Sequence, residues 1–415
     1  MGSMIHLAVG RLEVDWGKNQ SFRDHSALFQ ETDVKPVPYY YGSNNVRHKE
    51  GLEKPLKEVV QRITLMKYTL KYSRKEFEYL SYLNSFDPSD FTFDDLAKSI
   101  AETDVSALSV DYESDDDPGE FFQRQIAERL NLQGGGNQRR IDRDVGMGME
   151  NLSAYTVLRL LAENPTAQNL PVQWAFSDLQ EGGWARRDQF VKPLDQANRF
   201  LIVTEGSSDA HIIRHAFQLL RPQVADFFDF LDMQNGYPFS GTGSMVVFAK
   251  GLKSIKIINK ALFLFDNDAS GVENYNKTLS LGMPDNIKVL KLPDRPEFDQ
   301  FPTVGPTGQH NANINGKAVA IECFLDVGSD AAVQWTSYND RIKDHQGELV
   351  GKEHYTKAFM KLRSATSGYD VSKIETVLDM IIAACGSMRE SEQMAEIEKE
   401  IAGFEMFEVG EDADK

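Results

Sequence analysis

Leu201-Ile202-Val203-Thr204-Glu205-Gly206-Ser207-Ser208-Asp209 and Leu262-Phe263-Leu264-Phe265-Asp266-Asn267-Asp268 are the two stretches that decide the fold. Each is an apolar run that stops at a carboxylate. A run without polar alternation suits a strand buried on both faces of a parallel sheet. In open α/β sheets the binding crevice lies beyond the carboxyl ends of the strands. Two such strands side by side bring Glu205, Asp209, Asp266 and Asp268 into one crevice. Carboxylates that close repel one another unless a divalent cation neutralises them. The two stretches therefore predict a metal site that works on phosphates.

Around these stretches, strand and helix alternate. The strand 200–204 precedes a helix with Ile212, Ile213, Ala216, Phe217 and Leu220 on one face. An apolar segment Phe227–Met233, a helix over 244–258 and the strand 261–265 follow. Val272, Tyr275 and Leu279 mark another helix, and Ile287–Leu292, closed by Pro293, is read as the last strand. Such alternation implies a parallel sheet with right-handed crossovers. Upstream, Ile5, Leu7, Val9, Leu12 and Val14 around Gly10-Arg11 read as a hairpin. Residues 53–84 carry a helical pattern, Thr92 is a candidate N-cap, and a helix falls near 151–163. Gly134-Gly135-Gly136-Asn137 reads as a joint and Pro193 lies near a domain boundary. Downstream, Lys317–Leu325, Lys352–Leu362 and a long run from Val371 read as helices. The expected class is α/β, in three parts: an α+β region 1–195, a Rossmann-like parallel sheet 196–300, and a mostly helical region 301–415 with an acidic tail.

At 415 residues the chain has room for two or three domains. It has no apolar run of the roughly 20 residues a membrane span needs and no signal-peptide core at its N-terminus. No membrane association is expected. Cys323 and Cys385 give neither a metal spacing nor a disulfide framework, which suits a reducing cytoplasm. Both read as small buried hydrophobes. The net charge of −18 argues against nucleic acid, whose phosphates want positive surface. The acids are uneven, however. Asp111, Glu113 and Asp115–Asp117 cluster, and so do the residues after Met388. Between Arg199 and Asp299 there are 11 Lys or Arg against 12 Asp or Glu, and four of those acids belong to the proposed metal site. The rest of that segment is mildly basic.

Within the constellation, Gly206 allows a tight turn, Ser207 or Ser208 caps the next helix, and Asp209 sits in its first turn. The helix N-terminus suits a phosphate. Asp266 and Asp268, two apart at a strand end, can reach one Mg²⁺ or a pair. Residues 197–295 resemble the Toprim domain of topoisomerases, bacterial primases and overcoming-lysogenization-defect nucleases. That family has a strand ending in Glu-Gly with an acid four residues after the Glu, then a strand ending in Asp-x-Asp. The resemblance implies a Mg²⁺- or Mn²⁺-dependent nuclease. It makes Glu205 a general acid or base and a metal ligand, gives Asp266 and Asp268 the metal, and adds Asp209 as a further ligand. Topoisomerase-type members often carry a third Asp where Ser270 stands, which puts the second-metal arrangement in doubt. Glu322 is a candidate to complete it, against the plainer reading of an ordinary helix Glu. A haloacid-dehalogenase-like phosphatase loop at Asp266–Ser270 and simple helix capping by both acid pairs are the competing readings.

Lys250, Lys253, Lys256 and Lys260 recur at helical spacing and predict one basic stripe for a phosphate backbone, with a solvated helix face as the bland alternative. Lys291 is a candidate to reach a scissile phosphate, and Arg139, Arg140 and Arg143 a substrate arm. His211 and His215 lack a third ligand and read as helix-surface residues. Met1-Gly2-Ser3, Ile5, Leu7, Val9-Gly10, Trp16-Gly17-Lys18-Asn19 and Ser26-Ala27-Leu28-Phe29 resemble the N-terminal module attached to HEPN or Toprim effectors in bacterial defence systems. HEPN ribonucleases carry an Arg, then four to six residues, then a His, and no Arg here has a His at that distance after it. The resemblance therefore implies a Toprim effector in anti-phage defence that cuts nucleic acid, host tRNA among the candidates. A regulatory protein partner and a homo-oligomer are expected. The other reading is a non-cleaving subunit that uses the fold as a docking scaffold.

Overall fold

The computed structural model describes residues 2–42, 45–85, 91–109, 119–132, 143–231, 242–306, 308–340, 344–364 and 368–413. The acidic cluster 111–117, the glycines 134–136 with Asn137, and Arg139 and Arg140 lie outside the described residues. The chain divides into two compact units, Met1–Asp195 with Glu390–Lys415, and Gln196–Arg389.

The first unit opens with the predicted hairpin, β1 (Met4–Val9) and β2 (Leu12–Lys18). It is turned at Gly10, whose φ is +57°. With β3 (Val34–Tyr40), β4 (Val46–Pro55) and β5 (Pro171–Ala175) it forms an antiparallel sheet in the order β2-β1-β5-β4-β3. The two-residue period divides the sheet. Ile5, Leu7 and Val9 enter the core, while Met4, His6 and Ala8 take the opposite face. The core face is covered by α1 (Leu56–Leu65), α2 (Leu70–Leu83), α3 (Phe93–Glu102) and α5 (Ala154–Leu161). The short α4 (Arg143–Gly148) precedes α5, and α6 (Ser177–Glu181) and α7 (Arg187–Phe190) follow β5. Thr92 caps α3 as expected, accepting from Asp95 N–H at 3.1 Å. The helical pattern over 53–84 is not one helix. β4 runs through Pro55, and the chain breaks at Lys67, with φ +104°, before Thr69 caps α2.

The second unit alternates β6 (Phe200–Thr204), α8 (Ser207–Leu220), β7 (Phe228–Phe230), α9 (Thr242–Ser254), β8 (Lys260–Phe265), the two-residue β9 (Asn267–Asp268), α10 (Ala269–Ser280) and β10 (Ile287–Lys291). Four of these strands make a parallel sheet in the order β10-β8-β6-β7. Burial on both faces is what the unalternated runs predicted: Ile202, Val203 and Thr204 are buried, and so is every residue from Ala261 to Phe265. The fold is thus mixed α/β around a parallel sheet.

The region after residue 300 holds a sheet that the expectation of a mostly helical region lacked, and β10 is not the last strand. β11 (Phe301–Gly305), β12 (Gly308–Ala312), β14 (Val333–Asn339) and β15 (Asp344–Leu349) form a further sheet in the order β12-β11-β14-β15. β12, Gly-Gln-His-Asn-Ala, has almost no apolar residue to betray it and is ordered by its backbone bonds to β11. Lys317–Leu325 is not a helix either. It holds β13 (Ala318–Val319) and a 3-10 turn over Ile321–Phe324. Its apolar residues are buried all round, so the run carries no period to separate helix from strand. α11 (Lys352–Met360) and the long α12 (Ser372–Ala413) follow near their predicted places. Among the described residues no helix is long and apolar enough to cross a membrane.

Candidate metal centre

Strand order fixes where a site can form. From β6 the chain steps outward to β7, then crosses back to β8 on β6's other side. The direction of winding therefore reverses between β6 and β8, and the crevice of an open α/β sheet lies at the carboxyl ends of such a pair. These strands are in register, with Thr204 opposite Leu264. Glu205 follows one and Asp266 the other, so the two carboxylates emerge at the same rim. Asp266 N–H donates to Glu205 Oε1 at 3.1 Å.

The helices that follow bring the other acids. Asp209, in the first turn of α8, accepts from Gly206 N–H at 3.0 Å. The N-cap position is Gly206 itself, so neither Ser207 nor Ser208 caps the helix. Gly206 has φ −133°, an extended conformation open to any residue, and an added Cβ would meet nothing nearer than Asp209 Oδ2 at 3.5 Å. The tight glycine is Gly271 instead. A Cβ there would lie 2.2 Å from the Asp266 carbonyl oxygen and 3.0 Å from Glu205 Oε1. Asp268 caps α10, accepting from Gly271 N–H at 2.6 Å. The start of α10 is thereby held directly against Asp266.

Glu322 joins this group, though not from a helix. β9 pairs with β13, Asp268 against Ala318 and Asn267 against Val319, and the turn after β13 carries Glu322 in buried. Its charge raises the pKa of both Asp209 and Asp266.

The five carboxyl groups form an acidic cluster. Burial first, then the charges of Asp268 and Asp209, push Glu205 up to about 8 from an ordinary 4.5. Burial and Glu322 push Asp209 up to about 6. Asp266 is lifted well above the carboxylate range by burial and by Asp209, Glu205, Asp268 and Glu322. Asp268 is raised by burial against the pull of its backbone donors and of Lys352. Lys352, the first residue of α11, also lowers Asp209. Sequence reasoning missed Lys352, because nothing around Gly351-Lys352 marks it as near the acids.

Residues 1–198 match the family model described as HEPN/Toprim N-terminal domain 1. The chain carries a HEPN/Toprim N-terminal domain. That domain suggests a nuclease-associated protein. No curated protein and no solved structure matches the chain. The HEPN/Toprim N-terminal domain takes in the whole of the antiparallel sheet and its helices, and ends just before β6.

Other expected site residues fall differently. The lysines do not form one helical stripe. α9 ends at Ser254, and Lys256, with φ +52°, terminates it. Ile257 N–H bonds to Leu252 O and Lys256 N–H to Lys253 O, the paired reversed bonds of a Schellman cap. Lys260 begins β8 instead. Lys253 Nζ is spent on the Leu281 carbonyl. Lys291 is tied to Asp294 at 2.8 Å and to Asn267 Oδ1 at 3.1 Å. Asn267, fully buried, also accepts from Gly316 N–H and donates to Asp294, so it fastens the Asp266-Asn267-Asp268 turn to the segment before β13. His215 is not a surface residue: its ring meets Phe359 of α11 edge-on at 5.3 Å.

Proposed function

We propose that the chain is a Mg²⁺- or Mn²⁺-dependent Toprim nuclease that cleaves phosphodiester bonds in RNA or DNA, tRNA included, as a toxic effector of anti-phage defence in the bacterial cytoplasm. One observation supports this reading: five carboxyl groups near the reversal point of a parallel sheet act on one another through their charges, and among the described residues no ion pair engages any of them. The donor set is all carboxyl oxygen, which suits a hard divalent cation rather than zinc or copper. Asp266, Asp268, Asp209 and Glu322 would hold the ion. A bound divalent cation supplies Lewis acidity at a phosphoryl oxygen. Glu205, with its pKa near neutrality, can hold a proton and release it within the working range of a general acid or base. Asn267 keeps Asp266 and Asp268 on one turn. Lys250 and Lys256, both exposed, are the lysines of the proposed stripe that stay available to a phosphate backbone.

A second reading, a non-cleaving Toprim-fold docking subunit, is favoured by one fact. Among the described residues no group of three His, Cys, Asp or Glu side chains is set ready to hold an ion. Incubation of the purified protein with tRNA, single-stranded DNA and duplex DNA, with Mg²⁺ or Mn²⁺, separates the two. The nuclease cuts at least one substrate, chelator stops it, and Glu205→Gln and Asp266→Asn lower the rate about a hundredfold or more. Absence of cutting under every metal and substrate leaves the docking subunit.

A further inference from the structure

The outward face of the β2-β1-β5-β4-β3 sheet is hollow. A cavity of about 800 Å³ covers it, within the range of roughly 300–1,000 Å³ typical of ligand sites. The hollow comes from small residues at its floor. Ala175 lies opposite His6, and Ala8 stands beside it on the same strand face. Trp16 lies opposite His6 on the other side, with its half-buried indole bordering the space. Tyr40 and Tyr41, both exposed, rim one end. One side wall is a π-helix, Phe122–Glu128, a rare element that recurs at functional sites, and its Gln125 lines the cavity.

Charge in this cavity is sorted unevenly. Its acids are already matched. Glu13 accepts from His6 at 2.6 Å, and Lys49 bridges Asp178 and Glu181 at 2.7 and 2.6 Å. Two arginines are left over. Among the described residues neither Arg11 nor Arg47 has a carboxylate partner, and Arg47 lies 5.6 Å from the Tyr41 ring centre. The strand registers separate them. Arg11 follows β1 at the Pro55 end of β4, and Arg47 stands near the other end of β4, roughly 25 Å away by strand rise. The cavity is therefore a trough with a spare guanidinium toward each end and aromatic rings between and beside them. Separated cations with interleaved aromatic platforms are how proteins hold an unpaired nucleotide chain, phosphates on the cations and bases on the rings.

We propose that this trough binds a short single-stranded run of nucleotides, with backbone phosphates on Arg11 and Arg47 and bases stacked on Trp16 and Tyr41. The site belongs to the HEPN/Toprim N-terminal domain and needs no divalent cation, so it stands whether or not the acidic centre cleaves.

The test uses the full chain carrying Glu205→Gln, in chelator, so that cutting cannot interfere. Fluorescence anisotropy follows labelled ten-nucleotide single strands of RNA and DNA, with a duplex, a dinucleotide and inorganic phosphate as competitors. Single strands are expected to bind and to quench Trp16, and the duplex to compete poorly. Competition by the dinucleotide identifies a free nucleotide as the source, and its failure identifies a longer strand. Arg11→Ala and Arg47→Ala are each expected to weaken binding about tenfold and to flatten its salt dependence. Tyr41→Phe keeps the ring and keeps binding, while Tyr41→Ala loses it. Unchanged affinity in Arg11→Ala and Arg47→Ala proteins that melt like the parent overturns the proposal, and so does the absence of any single-strand binding.

Discussion

The acidic centre and the N-terminal trough are built from similar carboxylates and treat them in opposite ways. In the trough, Glu13, Asp178 and Glu181 each have a cationic or imidazole partner within 2.7 Å. At the rim of the parallel sheet, Glu205, Asp209, Asp266, Asp268 and Glu322 act on one another through their charges, and Lys352 reaches two of them only through its field. Desolvated like charges raise one another's pKa and cost stability unless an outside cation joins them. A compensated cluster is structural and leaves its surplus charge for a ligand of opposite sign. An uncompensated one keeps protons or, on our proposal, takes a cation. The comparison separates acids that hold the fold from acids that are held by it.

The largest effect that could break this contrast lies in the backbone beside the acids. Gly271→Ala puts a methyl into the Asp266 carbonyl, where neither group can swing aside. It is expected to destabilise the protein by about 2–3 kcal/mol, whereas Gly206→Ala changes the denaturant midpoint little. Equal effects of the two would mean that α10 is not pinned against Asp266.

A smaller effect sharpens the contrast through its sign. Neutralising one acid in the uncompensated cluster, Asp266→Asn, is expected to stabilise the metal-free protein near pH 8, because burial and the neighbouring carboxyls lift Asp266 well above the ordinary carboxylate range. Removing the cation of the compensated cluster, Lys49→Met, is expected to destabilise it by about 1 kcal/mol, because Asp178 and Glu181 lose their partner. The pH dependence follows from the raised carboxyl values. The folded state keeps protons that the unfolded chain has released, so this contribution is fully present below the ordinary carboxyl pKa. It is lost as pH rises through the folded values, about 6 for Asp209 and about 8 for Glu205. The stability gained by Asp266→Asn over the parent should therefore grow between about pH 5 and pH 8, as thermal melting in chelator would show. A gain independent of pH contradicts the assignment of repulsion to this cluster.

Much of the centre was legible because its strands are buried on both faces. Unbroken apolar runs ending at Glu205 and Asp266 announce strand ends, and strand ends in a parallel sheet announce a crevice. What was hidden arrives by tertiary pairing. Glu322 itself was a candidate from sequence, but its route was not: it reaches the site through β9 pairing with β13, two residues a side, too short to leave a pattern. Asn267 stands at the unmarked position between two aspartates, yet it fastens the turn. Gly271 looks like any glycine in a first helical turn until its Cβ direction is known. The sheet after residue 300 was missed because strands such as β12 are ordered by neighbours rather than by their own residues. The lysine stripe failed because a helical period says nothing about where a helix stops, and Lys256 is the residue that stops it.

The central claim is tested most directly by calorimetric titration of Mn²⁺ into the full chain near pH 8, beside Asp266→Asn and beside Lys49→Met. Saturable binding in the parent and in Lys49→Met, abolished in Asp266→Asn, is the expected result. Equal Mn²⁺ binding by the parent and Asp266→Asn would contradict it.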